Sequence, residues 1–175
     1  MGKKYIMAAF SKDRPGVVAD ITRLLYENGC NLEDSSMANI KDEFAILLLF
    51  SCKEDGLEDR LTKGCQHLEA EKGITAYIRA VDGEDKAQKA LYSRKTITVE
   101  GIDQTGIVYK VSNFLTENHI NIEHLSSQRR LSPESGTALY FMNIKVQIPE
   151  GISSESLEDG LSQVGEELHL DITVQ

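Results

Sequence analysis

Asp13–Glu33 reads DRPGVVADITRLLYENGCNLE, and Asp103–Glu123 reads DQTGIVYKVSNFLTENHINIE. The two stretches align without a gap at a constant offset of 90 residues. Eight of the 21 positions are identical: Asp13/Asp103, Gly16/Gly106, Val18/Val108, Leu25/Leu115, Glu27/Glu117, Asn28/Asn118, Asn31/Asn121 and Glu33/Glu123. Six of the other 13 positions exchange one apolar residue for another. A pattern kept in register over that length marks an internal repeat, so the 175 residues divide into two copies of one small unit. The boundaries expected are 1–82 for the first unit, 83–92 for a polar linker (DGEDKAQKALY begins at Asp82) and 93–175 for the second.

Outward from the repeat, each copy reads in the same order. Lys4–Ser11 is a strand. Pro15–Asn28 is an amphipathic helix with Val17, Val18, Ile21, Leu24 and Leu25 on one face, Pro15 in its first turn and Gly29 at its end. Asn31–Ile40 and Glu43–Cys52 are strands joined at Lys41-Asp42. Leu57, Leu61, Cys65 and Leu68 form a second helical stripe, and Ile74–Val81 alternates as a last strand. In the second copy the strands are Lys95–Gly101, Asn121–Arg130, Thr137–Gln147 and the Leu170/Ile172/Val174 segment. The helices are Thr105–Asn118 and the stripe Leu157, Leu161, Val164, Leu168, capped by Ser153 or Ser154. The order βαββαβ predicts an α+β fold: two ferredoxin-like units, each a four-stranded antiparallel sheet with two helices on one face.

The other sheet face is informative in the first copy. Phe44–Phe50 is FAILLLF, and in Tyr5–Phe10 both alternating sets are apolar. Strand side chains alternate between faces, so these strands carry apolar groups on both. Apolar sheet surface is rarely left bare, which predicts either packing against the sister unit or a homo-oligomer, most simply a homodimer.

Composition narrows the function. The formal net charge is −9, and the acidity is shared: residues 1–92 hold 13 basic against 16 acidic groups, and residues 93–175 hold 6 against 12. With Arg129-Arg130 the sole basic cluster, direct binding of nucleic acid is not expected. The longest apolar run has 7 residues, far short of the ~20 that span a bilayer, and the amino terminus lacks a secretory pattern. The three cysteines, Cys30, Cys52 and Cys65, are odd in number and lack CxxC spacing. They read as reduced thiols of a cytoplasmic protein rather than a disulfide frame or zinc site.

No catalytic constellation is legible. His67, His119, His124 and His169 lack ligand spacing, and there is no phosphate loop or nucleophile elbow. No catalytic residue, metal or cofactor is therefore expected. The repeated polar feature is the turn before the first helix, Asp13-Arg14-Pro15-Gly16 with Val17, and Asp103-Gln104-Thr105-Gly106 with Ile107. Glycine there allows close backbone approach, and the positive end of a helix dipole suits a carboxylate. Asn31 and Asn121 open the next strand and offer donors and an acceptor. Turn and Asn together make a candidate clamp for the two ends of a free amino acid. The same residues also have a local use: Asp as helix cap, Gly for the turn, Asn to close the helix end. On the residues alone both readings stand.

These residues carry a resemblance. Asp13–Val18, Leu24–Glu33 and their counterparts Asp103–Val108 and Phe114–Glu123 resemble the ACT domain, in tandem, over nearly the whole chain outside the linker. Two such units without a catalytic domain look most like the glycine cleavage system transcriptional repressor group. The resemblance implies a small effector, typically an amino acid, held at interfaces between units by the Asp13–Gly16 turn with Asn31 and the Asp103–Gly106 turn with Asn121. It also implies a protein partner such as a transcription factor. The second copy departs from the pattern, with Gln104-Thr105 in place of Arg14-Pro15. A ligand-free interaction module is the alternative expectation.

Overall fold

The computed structural model of the chain describes residues 3–53, 56–81 and 92–175. The chain divides into two compact units, Met1–Lys86 and Ala87–Gln175. Of the expected linker only Tyr92 lies among the described residues, where it opens a strand.

The first unit runs β1 (Lys3–Lys12), α1 (Val17–Glu27), β2 (Cys30–Ile40), β3 (Glu43–Cys52), α2 (Glu58–Lys72) and β4 (Thr75–Ala80). The second runs β5 (Tyr92–Ile102), α3 (Ile107–Glu117), β6 (Asn121–Leu131), β7 (Ala138–Pro149), α4 (Ser154–Leu168) and β8 (Leu170–Val174). The sheets are ordered β2-β3-β1-β4 and β6-β7-β5-β8, and all pairs are antiparallel. These are the tandem ferredoxin-like units that the repeat predicts.

One face of each sheet is packed under the helices. In unit 1 the alternation of β1 and β3 buries Tyr5, Met7 and Ala9 beside Phe44, Ile46, Leu48 and Phe50. Val17, Ile21 and Leu25 of α1, and Leu61, Cys65 and Leu68 of α2, close that layer. Each fully buried aliphatic side chain contributes about 1.5–3 kcal/mol of transfer free energy. Unit 2 repeats the plan with Ile97, Val99, Met142, Ile144 and Val146 under Ile107, Val111, Leu115, Leu157 and Leu161. The helices approach closely where one presents a glycine. A Cβ on Gly64 would lie 2.2 Å from Cδ1 of Leu24, and one on Gly160 would lie 2.5 Å from the Phe114 ring.

Local chemistry corrects three details. First, α1 starts at Val17 with Gly16 as N-cap, so Pro15 sits in the preceding turn rather than in the helix. Gly16 has φ 94°, a backbone state open to glycine at little cost, and Gly106 repeats it at φ 95°. Second, Asp13 and Asp103 do not cap the helices, since neither N-terminus has a side-chain cap bond. Third, the helix ends are closed by Asn28 and Asn118, whose Nδ2 atoms donate to the carbonyls of Leu24 and Phe114 at 2.8 and 2.9 Å. Asn31 and Asn121 have no part in that. At α4, Ser153 accepts from Ser156 N at 3.1 Å, as a serine N-cap should.

The reading of all three cysteines as reduced thiols is overturned. Cys30 and Cys52 face each other across β2 and β3 and form a disulfide, with their Cα atoms 4.4 Å apart. That spacing is the close, non-hydrogen-bonded kind of antiparallel pair. Linear spacing in the sequence cannot show it, because the pair is made by strand register. Cys65 alone is free, buried in α2, and burial pushes its thiol up to about 11.

Candidate functional site

The turn after β1 is assembled by three strands and a helix. Asp13 N donates to Asp42 O at 2.8 Å, which ties the end of β1 to the β2–β3 hairpin. Asn39, near the end of β2, donates from Nδ2 to Asp13 Oδ2 at 2.9 Å. Arg14 reaches over the start of α1 and donates to Asp20 Oδ2 at 2.8 Å. The Arg14 guanidinium is also the main reason the Asp20 carboxyl is held below its ordinary range. Between these groups lies a concavity of about 550 Å³, lined by Asp13, Arg14, Gly16, Val17, Val18, Ala19, Thr22, Met37 and Phe44.

The lining combines three chemistries. Asp13 supplies a carboxylate. The N-terminal end of α1, uncapped by any side chain, supplies the positive end of a helix dipole. Val18 and Met37 supply an apolar wall, whereas the Val17 and Phe44 side chains are core. Pro15 is exposed beside the turn.

Unit 2 builds the same turn with other partners. Asp103 N donates to Ala138 O at 2.9 Å. Position 129 corresponds to 39 at the repeat offset, and Arg129 Nε lies 2.7 Å from Asp103 Oδ2. An ion pair thus replaces the Asn39–Asp13 hydrogen bond. Gln104, the counterpart of Arg14, donates instead to the Leu168 carbonyl at the end of α4. Thr105 is exposed and Ile107 is core, like Pro15 and Val17.

Asn31 is not brought to the Asp13–Gly16 turn within its unit. It pairs with Ser51 at the opposite end of the sheet, whereas Asn39 is the β2 residue at the turn. The eight residue steps from Asn31 to Asn39 span roughly 26 Å of strand. Asn121 pairs with Gln147 in the same way. The clamp expected from a turn and an Asn of one unit is therefore not formed.

Asn31 instead shares its end of the sheet with a device the sequence reading missed. The β2 register shifts between Leu32 and Asp34, and the β6 register shifts between Ile122 and His124. The extra residues are Glu33 and Glu123, identical in the repeat. Lys4 Nζ lies 3.0 Å from Glu33 Oε2, and Arg94 Nε lies 3.3 Å from Glu123 Oε1. Hydrogen bonding from Ser51, then from Lys4, holds the Glu33 carboxyl below its ordinary range. A bulge that re-aims one side chain accounts for a glutamate kept at this place in both copies.

Comparison with known proteins identifies the fold family. Residues 6–78 match the model of the ACT domain. The UPF0237 protein MK1213 of Methanopyrus kandleri is 31% identical over 78 residues, which are 44% of this chain and 87% of that protein. The chain belongs to the ACT-domain family. It carries two ACT units, the second recognised by its fold and by the repeat. The glycine cleavage system transcriptional repressor of Escherichia coli strain K12 is 22% identical over 165 residues, 94% of this chain and 85% of that protein. A crystal structure of an unknown protein from Galdieria sulphuraria matches with a TM-score of 0.81 and 26% identity, covering 100% of this chain and 98% of that one. This is thus a tandem ACT protein distantly related to a transcriptional repressor.

Proposed function

We propose that this tandem ACT protein is a regulatory, non-catalytic binder of a small amino-acid effector. It would pass occupancy on to a protein partner such as a transcription factor. The observation that carries the reading is the concavity at the Asp13–Gly16 turn, where a carboxylate, an uncapped helix N-terminus and an apolar wall converge. A free amino acid has matching parts. Its ammonium group suits Asp13, its carboxylate suits the start of α1, and its side chain suits Val18 and Met37.

The Asp103–Gly106 turn with Gln104, Thr105 and Ile107 is the second proposed site. Arg129 brings a cation to its mouth, so its effector preference would differ from that of the first. Asn31 and Asn121, each a strand length from the turn of its own unit, would join such a site only from a different ACT unit. Regulation follows if the effector binds one arrangement of the protein more tightly than another. No direct contact with nucleic acid is proposed, since both halves are acidic.

Kinship to the repressor supports a cytoplasmic setting. No described helix is long and apolar enough to cross a membrane. In that compartment the Cys30–Cys52 bond would be a redox-dependent link rather than a permanent one. A second reading, an ACT module used for assembly alone, is favoured by the bare apolar face of the first sheet. Thermal-shift measurement with each of the twenty amino acids separates the two. A rise with one of them that is lost on Asp13→Ala supports sensing, and no rise with any supports assembly alone.

A further inference from the structure

We infer that the sheet face of unit 1 opposite its helices is the contact with a second copy of the chain. In this contact the two faces pack about a two-fold axis that runs along the strands between β1 and β3.

The face can be read row by row from the strand register. Asp34, Leu49, Ile6 and Arg79 form one row across β2, β3, β1 and β4. Ser36, Leu47, Ala8 and Tyr77 form the next, then Ala38, Ala45, Phe10 and Thr75. The centre is apolar and bare: Phe10 is 52% exposed, Leu47 51% and Tyr77 67%. Ion pairs bound it at both ends, Lys4 with Glu33 below and Lys12 with Glu43 above. An apolar centre with a charged rim is the anatomy of a protein interface.

Charge placement selects the occupant. On this face every acid lies on the β2–β3 half (Glu33, Asp34, Glu43), and every base lies on the β1–β4 half (Lys4, Lys12, Arg79). A two-fold axis along the strands lays the β2–β3 half of one copy over the β1–β4 half of the other and keeps each row level. Asp34 then faces Arg79 of the second copy, Glu43 faces Lys12, and apolar rows meet apolar rows. Such a face is self-complementary, as an isologous contact requires. The sheet twist sets aligned faces about 30° apart, which leaves row-to-row neighbours in reach of long side chains.

The second ACT unit is the internal comparison. Strand register places Thr96, Thr98 and Glu100 where unit 1 has Ile6, Ala8 and Phe10. It places Lys145, Asn143 and Thr173 where unit 1 has Leu49, Leu47 and Tyr77. Unit 2 is polar at the centre of this face and carries apolar side chains only toward one end, at Phe141, Ile102 and Leu139, so the fold does not demand an apolar centre.

The inference stands apart from effector binding and is tested on the full chain by sedimentation velocity across a concentration series. A dimer is expected. Leu47→Lys should give monomers with unchanged circular dichroism, while Thr98→Lys in unit 2 should leave the dimer intact. Arg79→Asp and Asp34→Arg should each raise the dimer dissociation constant about ten-fold, and the double exchange should restore it to within about three-fold. A monomeric parent chain overturns the inference. So does a dimer indifferent to Leu47→Lys, or a double exchange no better than the single ones.

Discussion

Asn39 and Asp13 are 26 positions apart in the chain, yet Asn39 Nδ2 donates to Asp13 Oδ2 at 2.9 Å. The bond fixes the carboxylate at the mouth of the Asp13–Gly16 concavity. Arg129 and Asp103 hold the equivalent places in unit 2, joined as an ion pair at 2.7 Å. One architecture thus presents two differently charged turns.

Removing the Asn39 amide should matter more for binding than for folding. The bond is exposed, so Asn39→Ala should cost no more than about 1 kcal/mol in urea unfolding. Effector affinity at the first turn should fall by about ten-fold or more, because Asp13 is no longer oriented. Calorimetric titration of the variant checks the second number. An affinity equal to that of the parent would show that Asp13 does not touch the ligand.

The glycine at each turn is set by backbone conformation. Gly16 and Gly106 have φ 94° and 95°. Gly16→Ala or Gly106→Ala should therefore destabilise the chain by about 1–2 kcal/mol, even though a Cβ meets no atom closer than Arg14 Nη1 at 3.8 Å from Gly16. Chemical denaturation of the two variants measures it. Loss of much less than this would mean the turn adopts another conformation.

The disulfide has its own internal control. Strand register places Ile120 and Ile148 of unit 2 where unit 1 has Cys30 and Cys52. The fold is built there without a bond, so reduction should loosen unit 1 but not unfold it outright. With the two cysteines 22 residues apart, opening the loop should lower stability by about 3 kcal/mol. Urea unfolding with and without reductant reads this. Cys30→Ile with Cys52→Ile should abolish the sensitivity to reductant, while Cys65, buried and with its thiol pushed up to about 11, should alkylate only on unfolding.

Fold and site were unequally legible in the sequence. The 90-residue offset and the alternation in Ile74–Val81 and in Leu170, Ile172 and Val174 made both sheets legible, because burial on one face forces a period of two. The Asp13–Gly16 turn was legible because glycine and acid repeat there. Asn39 was not: its counterpart is arginine, so the repeat gives no identity to notice, and the contact exists only through β2 register. Asn31 misled for a related reason. Identity in the repeat marked it as important, but sequence nearness to the helix end concealed its place a strand length from the turn. Glu33 and Glu123 were visible as identities, but a bulge shows only when strand partners are known.

Acid should weaken the Arg14–Asp20 link. The Asp20 carboxyl titrates below its ordinary range, chiefly through the hydrogen bond from Arg14. A depressed folded value means the link stabilises the protein above the ordinary aspartate pKa. That contribution is lost as pH falls through the lower folded value. Carboxyl NMR titration should place Asp20 below the ordinary aspartate range, and Arg14→Ala should bring it back up. An Asp20 curve unmoved by Arg14→Ala would assign the depression to another group.

The turn at Asp13–Gly16 is proposed to bind an amino acid. Isothermal titration of the full chain with each of the twenty amino acids tests it most directly. Saturable binding of at least one at millimolar concentration or tighter is expected, with that binding removed by Asp13→Ala while the melting temperature of the free protein holds. Absence of binding by all twenty, or binding that survives Asp13→Ala unchanged, would contradict the account.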